Sequence, residues 1–302
     1  DDAPVAADDD AIAVEAGGIN NGTAGTDPQG NVLDNDSDDD TADQLSVVAI
    51  RTGNEAGSGS AGQLGVELRG QYGWLTTSYR VDNDMAEVQA LRSASETLND
   101  AFPYTVRDLA SLQDSATLNI TIRGANDTPD AANNFAYSTP DNGNANGINP
   151  TGNVLTNDSD VDAGDSLSVS GARTGNEAAG GSLAALTGGS ITLIGAHGTL
   201  LLNADGSYSY TLNADDPDVA NLGPTQALLD QFTYAASDLG GLSDEAQLTI
   251  VIRGRNDAPQ GTDDNVTATE AGGVNNGQAG FNPAGNVLAN DRDLEGDTLE
   301  VT

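Results

Sequence analysis

Three short loops in this chain carry acids at alternate positions. The first reads Gly30-Asn31-Val32-Leu33-Asp34-Asn35-Asp36-Ser37-Asp38-Asp39-Asp40 and runs on to Asp43. The second reads Gly152-Asn153-Val154-Leu155-Thr156-Asn157-Asp158-Ser159-Asp160-Val161-Asp162 and runs on to Asp165. The third reads Gly285-Asn286-Val287-Leu288-Ala289-Asn290-Asp291-Arg292-Asp293-Leu294-Glu295 and runs on to Asp297. Alternate carboxylates on a tight loop converge, and they repel one another unless a cation sits among them. Calcium takes roughly six to eight oxygens and suits such a set. The candidate ligands are therefore Asn35, Asp36, Asp38, Asp40 and Asp43; Asn157, Asp158, Asp160, Asp162 and Asp165; and Asn290, Asp291, Asp293, Glu295 and Asp297. The pattern overlaps the start of an EF-hand but lacks its closing Glu and flanking helices. A solvated acidic turn is the plain alternative for one copy, and three copies in register favour a metal.

A second candidate is Asn126-Asp127-Thr128-Pro129, which returns as Asn256-Asp257-Ala258-Pro259 and is echoed by Asp2-Ala3-Pro4. Pro fixes φ and stiffens a joint, and Asn126, Asp127, Asn256 and Asp257 can offer oxygens to an ion held there. Asp8, Asp9, Glu15, Asp263, Asp264 and Glu270 are weaker candidates, because Asn133 and Asn134 stand where Asp8 and Asp9 do.

These motifs divide the chain into repeats. Repetition places one unit at 1–125, a second at 126–255 and the opening of a third at 256–302. The tail is too short to bury a sandwich core alone. Either the chain is cut from a longer one, as its opening without Met suggests, or the tail completes a neighbouring subunit.

Within a repeat the pattern is of short strands: Leu167–Val169, Ser190–Ile194, Thr199–Asn203, Ser207–Leu212, Gln231–Ala235 and Gln247–Ile252. Asp205-Gly206 supplies the positive φ of a tight hairpin turn. Thr225–Gln231 and Ala94–Asn99 read as single helical turns. The fold class expected is all-β, a tandem of antiparallel immunoglobulin- or cadherin-like β-sandwich repeats. Alternation assigns Phe102, Tyr104, Val106, Leu118, Ile120 and Ile122 to the first core. It assigns Leu200, Leu202, Tyr208, Tyr210, Phe232, Tyr234, Leu248, Ile250 and Ile252 to the second. In the first repeat, Gly73-Trp74-Leu75 lacks the Asp-Gly hairpin, so its strands should be shorter, with Trp74 as a core plug. Alternatively Trp74 and Tyr79 line a surface for a carbohydrate or protein.

With 47 acids against 10 basic residues, all Arg, the formal charge is −37. That field opposes nucleic acid and anionic membranes as partners and favours multivalent cations. Without Cys there are no disulfides and no thiolate chemistry. His197 is the sole histidine, and Tyr72 takes its place in the first repeat, so no enzyme is expected. No apolar run approaches the roughly 20 residues of a membrane span.

The order of motifs resembles the VCBS and cadherin-like bacterial immunoglobulin-like repeats of giant secreted, RTX-type adhesins. It runs from Asn126-Asp127 through Asp158 to Asp205, Tyr208, Tyr210, Phe232 and Asp238, and the second repeat matches best. The first departs from it, reading Arg107-Asp108 where the second reads Ser237-Asp238. The resemblance implies a calcium-stiffened sandwich strung into long extracellular or cell-surface adhesins, often exported by type I secretion. Such a segment acts as a spacer in adhesion or biofilm. Its expected partners are the neighbouring repeats, then a surface glycan or protein, or copies of itself in a fibre.

Overall fold

The computed structural model describes residues 2–40, 43–141 and 146–302. The chain forms two compact units. One comprises Asp1–Ala131, Asn157–Ser168 and Ala236–Asp244, and the other Ala132–Thr156, Val169–Ala235 and Glu245–Thr302. Strand makes up 40% and helix 7%, so the chain is all-β as expected.

In chain order the early strands are β1 (Asp9–Val14), β2 (Ser46–Ile50), β3 (Leu68–Arg69), β4 (Gly73–Leu75) and β5 (Tyr79–Val81). Helix α1 (Ala86–Gln89), β6 (Thr97–Arg107) and β7 (Gln113–Arg123) follow. One sheet has the order β1-β7-β6-β2 and a smaller one the order β3-β4-β5. The later elements are β8 (Asn134–Ser138), β9 (Thr151–Asn153), β10 (Ser168–Thr174), β11 (Ala184–Ala185), β12 (Ser190–Ile194) and β13 (Gly198–Asn203). After them come β14 (Ser207–Leu212), α2 (Pro217–Ala220), β15 (Ala227–Ser237) and β16 (Ser243–Arg253). Their sheets are β11-β10-β15-β16-β8 and β12-β13-β14-β9. Most pairs are antiparallel, but β1 pairs with β7, and β8 with β16, in parallel. The opening strand of each repeat thus lies along its closing strand.

The two cores repeat one arrangement. Tyr79 meets Phe102 edge-on at 6.0 Å, and Tyr210 meets Phe232 at 6.3 Å. The Tyr79 hydroxyl donates to Asp100 at 2.6 Å, and that of Tyr210 to Asp230 at 2.7 Å. Each buried Asp also accepts two amides, from Gln71 and Tyr72 or from Ala196 and His197. A carboxylate inside the sandwich is held by donors rather than by a cation. His197 does fall at the place of Tyr72, and its Nδ1 lies 2.8 Å from Asp216. Of the expected core, all but Leu118 are buried, and Leu118 is partly buried against it.

Three expectations need correction. The helical turns lie earlier than Thr225–Gln231 and Ala94–Asn99, which enter β15 and β6. Pro217 opens α2, and the Asp216 side chain caps it by accepting the Asp218 amide at 2.9 Å. That is the usual chemistry of a helix start. The strand expected at Leu167–Val169 runs instead over Ser168–Thr174. Trp74 is not a core plug: Gly73 and Leu75 are buried, so alternation turns Trp74 to the opposite face. There its ring lies between Arg69, at 4.1 Å, and Arg80, at 4.0 Å. The shortened hairpin is as expected, three residues per strand in β4 and β5 against six in β13 and β14. Gly206 adopts φ 80° in the turn between the longer pair.

The segment 256–302 carries isolated bridges, Gln260 to Arg292, Thr269 to Phe281 and Gly272 to Gln278. Val266, Val274 and Phe281 are exposed there.

Candidate metal centre

The three acidic loops share much of their hydrogen bonding. In the first and third loops the opening Asn-Asp pair clips the loop to the segment entering the repeat. Asn35 donates to the carbonyls of Ala7 and Asp8, and Asp36 accepts the Ala7 amide at 2.8 Å. Asn290 donates to Thr262 and Asp263, and Asp291 accepts the Thr262 amide at 2.6 Å. The second loop is joined to its entering segment by the Asp130–Ser159 bridge, which matches Val5–Ser37 in the first and Gln260–Arg292 in the third. The next acid forms a tight turn by accepting an amide two residues on. Asp38 accepts from Asp40 at 2.8 Å, Asp160 from Asp162 at 2.9 Å and Asp293 from Glu295 at 3.1 Å. The third acid receives the Asp amide of the joint. Asp2 donates to Asp40 at 2.8 Å, Asp127 to Asp162 at 2.9 Å and Asp257 to Glu295 at 3.3 Å. Asn126 and Asn256 each donate to the carbonyl of the Asp that follows.

What the loops leave over is oxygen. Buried side-chain oxygens without a partner remain on Asp38, Asp43 and Asp108, on Asp160, Asp162 and Asp165, and on Asn126, Asp127 and Glu295. Carboxylate oxygens of Asp38, Asp43 and Asp108 lie within 4.8 Å of one another, and so do those of Asp160, Asp162 and Asp165. Asp297 is exposed and donates its amide to Asp293.

Around the second loop the first unit gathers further acids. Glu15 is 1% exposed and accepts the Ala125 amide at 3.0 Å and the Gln89 side chain at 3.4 Å. Burial, with the charges of Asp127 and Asp162 behind it, pushes its carboxyl up to about 8. Burial, then Asp162 and Asp160, pushes Asp127 up to about 7. Burial also raises Asp160 and Asp162. Among the described residues no ion pair with Arg or His reaches this group. Asp238 accepts Asn126 at 2.7 Å and the Leu242 amide at 2.8 Å, which seats it beside the joint.

Calcium fits this donor set. The unpartnered atoms are hard oxygens from carboxylates and one amide, without imidazole or thiolate. A bound ion would be held by Asp160, Asp162, Asp165, Asp127 and Glu15, and in the first loop by Asp38, Asp43 and Asp108. It would supply the positive charge that makes so many adjacent carboxylates tolerable.

Sequence reasoning placed Asp108 and Asp238 in the order of motifs but not among the candidate ligands. Their signal is an Asp closing the penultimate strand of both repeats. Asp8 and Asp9, weaker candidates from sequence, make structural hydrogen bonds. Asp8 accepts the Thr117 amide and Asp9 the Tyr104 hydroxyl, each at 2.8 Å. Asn133 and Asn134 serve the same ends at Gln247 and Tyr234, which explains why charge is dispensable there. Asp263, Asp264 and Glu270 are exposed.

Fold and donor set together describe a tandem β-sandwich with acid-lined joints. The chain belongs to the bacterial cadherin-like domain family, whose model matches residues 1–124 and again 126–254. Cadherin-like domains are extracellular adhesion modules and are generally not enzymes. Among solved structures it is similar to Drosophila N-cadherin EC1-4, at 14% identity and TM-score 0.37 over 84% of this chain and 51% of that one. It is also similar to mouse cadherin-23 EC22-24, at 12% identity and TM-score 0.38 over 89% of this chain and 73% of that one. The chain thus spans about half of the N-cadherin structure. No curated protein matches it. Among the described residues no helix is long and apolar enough to cross a membrane.

Proposed function

We propose that this chain is a calcium-stabilised segment of a bacterial adhesin or matrix fibre of the VCBS and RTX type. It acts as a stiff extracellular spacer at the cell surface or in biofilm. Its working units are repeats at 1–125 and 126–255 and the opening of a third at 256–302, each serving as partner to the next. The observation that carries the reading is the set of buried carboxylate oxygens with no donor, on Asp38, Asp43, Asp108, Asp127, Asp160, Asp162 and Asp165. An unpaired buried charge is costly, and a divalent ion removes that cost. Extracellular modules bind calcium at about 10⁻⁴ to 10⁻³ M. At about 1 mM calcium each site then adds roughly 0.4–1.4 kcal/mol by mass action, so several sites act together.

The test is a thermal melt of the purified chain in calcium and in chelator. The midpoint should rise with calcium and fall on chelation. Coincident curves would reject the reading.

A further inference from the structure

Sheet register shows that the two joints in this chain are not equivalent. In each repeat an isolated bridge joins the end of the opening segment to a returning one. The bridged pairs are Val14 with Thr26, Thr139 with Ile148, and Thr269 with Phe281. The next residue is Glu15 in the first repeat, Pro140 in the second and Glu270 in the third. Two further correspondences follow. Gln89 and Ala220 are the last residues of α1 and α2. Gly124 donates to Glu96 and Gly254 to Gln226 at the same point after the closing strands, which aligns Ala125 with Arg255.

At the joint of Asp127 the chain therefore provides a buried carboxylate, Glu15, held by Gln89 and by the Ala125 amide. At the corresponding places for the joint of Asp257 it provides Pro140, Ala220 and Arg255. One carboxylate is missing, the amide side chain that orients it is missing, and a guanidinium is added two residues before Asp257. The other parts are kept, including the Asp257 amide on Glu295 and the Asp293 turn. Loss of a carboxylate lowers cation affinity, and the Arg255 guanidinium, which donates to the Asn146 carbonyl at 3.1 Å, adds positive charge near the joint.

We infer that the two joints bind divalent cations unequally. The joint of Glu15, Asp127, Asp160, Asp162 and Asp165 is a tight site, and the joint of Asp257, Asp293 and Glu295 is a weak one. This rests on the proposed calcium reading and adds an order of loading to it. As calcium rises, the first joint fills while the second stays open.

The experiment is calorimetric titration of the full chain with calcium chloride, against three variants whose folding is checked by circular dichroism. Glu15→Gln should remove tight binding at one joint, with affinity there down about 10- to 100-fold, the scale of a damaged metal site. Pro140→Glu/Ala220→Gln/Arg255→Ala should add tight binding. Arg255→Ala alone, which leaves the backbone untouched, should strengthen the weak class. An isotherm unchanged by Glu15→Gln, or a weak class unmoved by Arg255→Ala, overturns the inference while calcium binding stands. A wild-type chain that takes up no calcium overturns the proposed function and this inference with it.

Discussion

The backbone amide of Asp127 donates to Oδ2 of Asp162 at 2.9 Å, while Oδ1 of Asp162 and Oδ2 of Asp127 are buried without partners. One hydrogen bond thus fixes two carboxylates side by side and leaves an oxygen on each unused. The geometry is assembled by the backbone, so the acids cannot drift apart to relieve their repulsion. Asp162→Asn keeps an oxygen to accept the Asp127 amide and removes one charge. In chelator this variant should melt about 2–4 °C above the wild type, the shift of roughly 1 kcal/mol in a domain above 150 residues. In calcium it should melt below the wild type. A variant that melts lower in both conditions would show that the charge is not what strains the joint.

Protonation offers a second handle. The folded carboxyls of Glu15 and Asp127 sit near 8 and 7, above their ordinary 4.5 and 3.8. The calcium-free folded state therefore binds more protons than the unfolded chain between those values. Stability must then fall as pH rises through that window. In chelator the midpoint at pH 5 should exceed that at pH 8. Calcium, which displaces the protons, should bind more tightly at pH 8 than at pH 6. A chelated midpoint that rises with pH would contradict the burial of these groups.

Much of this was readable in the residues. Alternation in Phe102 to Val106 and Leu248 to Ile252 fixed which faces are buried, because period two has one inside. The acidic loops were found because they recur. Three things were hidden. Asn35 donates to Ala7 and Asp8 and Asp36 accepts the Ala7 amide, and spacing alone does not show that these residues also clip the loop. Asp108 and Asp238 lie far along the chain from the loops they serve. Trp74 reads as a plug for the missing hairpin or as a surface contact, and the strand pleat turns it away from the buried face of Gly73 and Leu75.

The buried Asp of each sandwich gives a third test, independent of metal. Tyr79→Phe and Tyr210→Phe each remove a hydroxyl from a carboxylate that keeps two backbone amides. Leaving a buried acceptor short of a donor costs about 1–3 kcal/mol. Urea unfolding should show a loss of that size for both variants, equal in calcium and in chelator. A loss seen only in chelator would tie these residues to the joints instead.

Trp74 decides between spacer and sugar-binding module. A sugar stacks on an aromatic face, and both faces of this ring are covered, by Arg69 and Arg80 at 4.1 and 4.0 Å. Each guanidinium is also anchored, Arg69 to Asp82 at 2.6 Å and Arg80 to Glu67 at 3.1 Å. Opening a face would break a stacked cation worth roughly 0.5–1 kcal/mol at an exposed site. The stack therefore works as a local brace for the shortened β3-β4-β5 sheet. Trp74→Ala should lower stability by about 1–2 kcal/mol, the loss of two such contacts. A glycan array should give no signal that the substitution abolishes. Wild-type binding to a glycan that is lost in Trp74→Ala, with stability unchanged, would make this face a recognition surface.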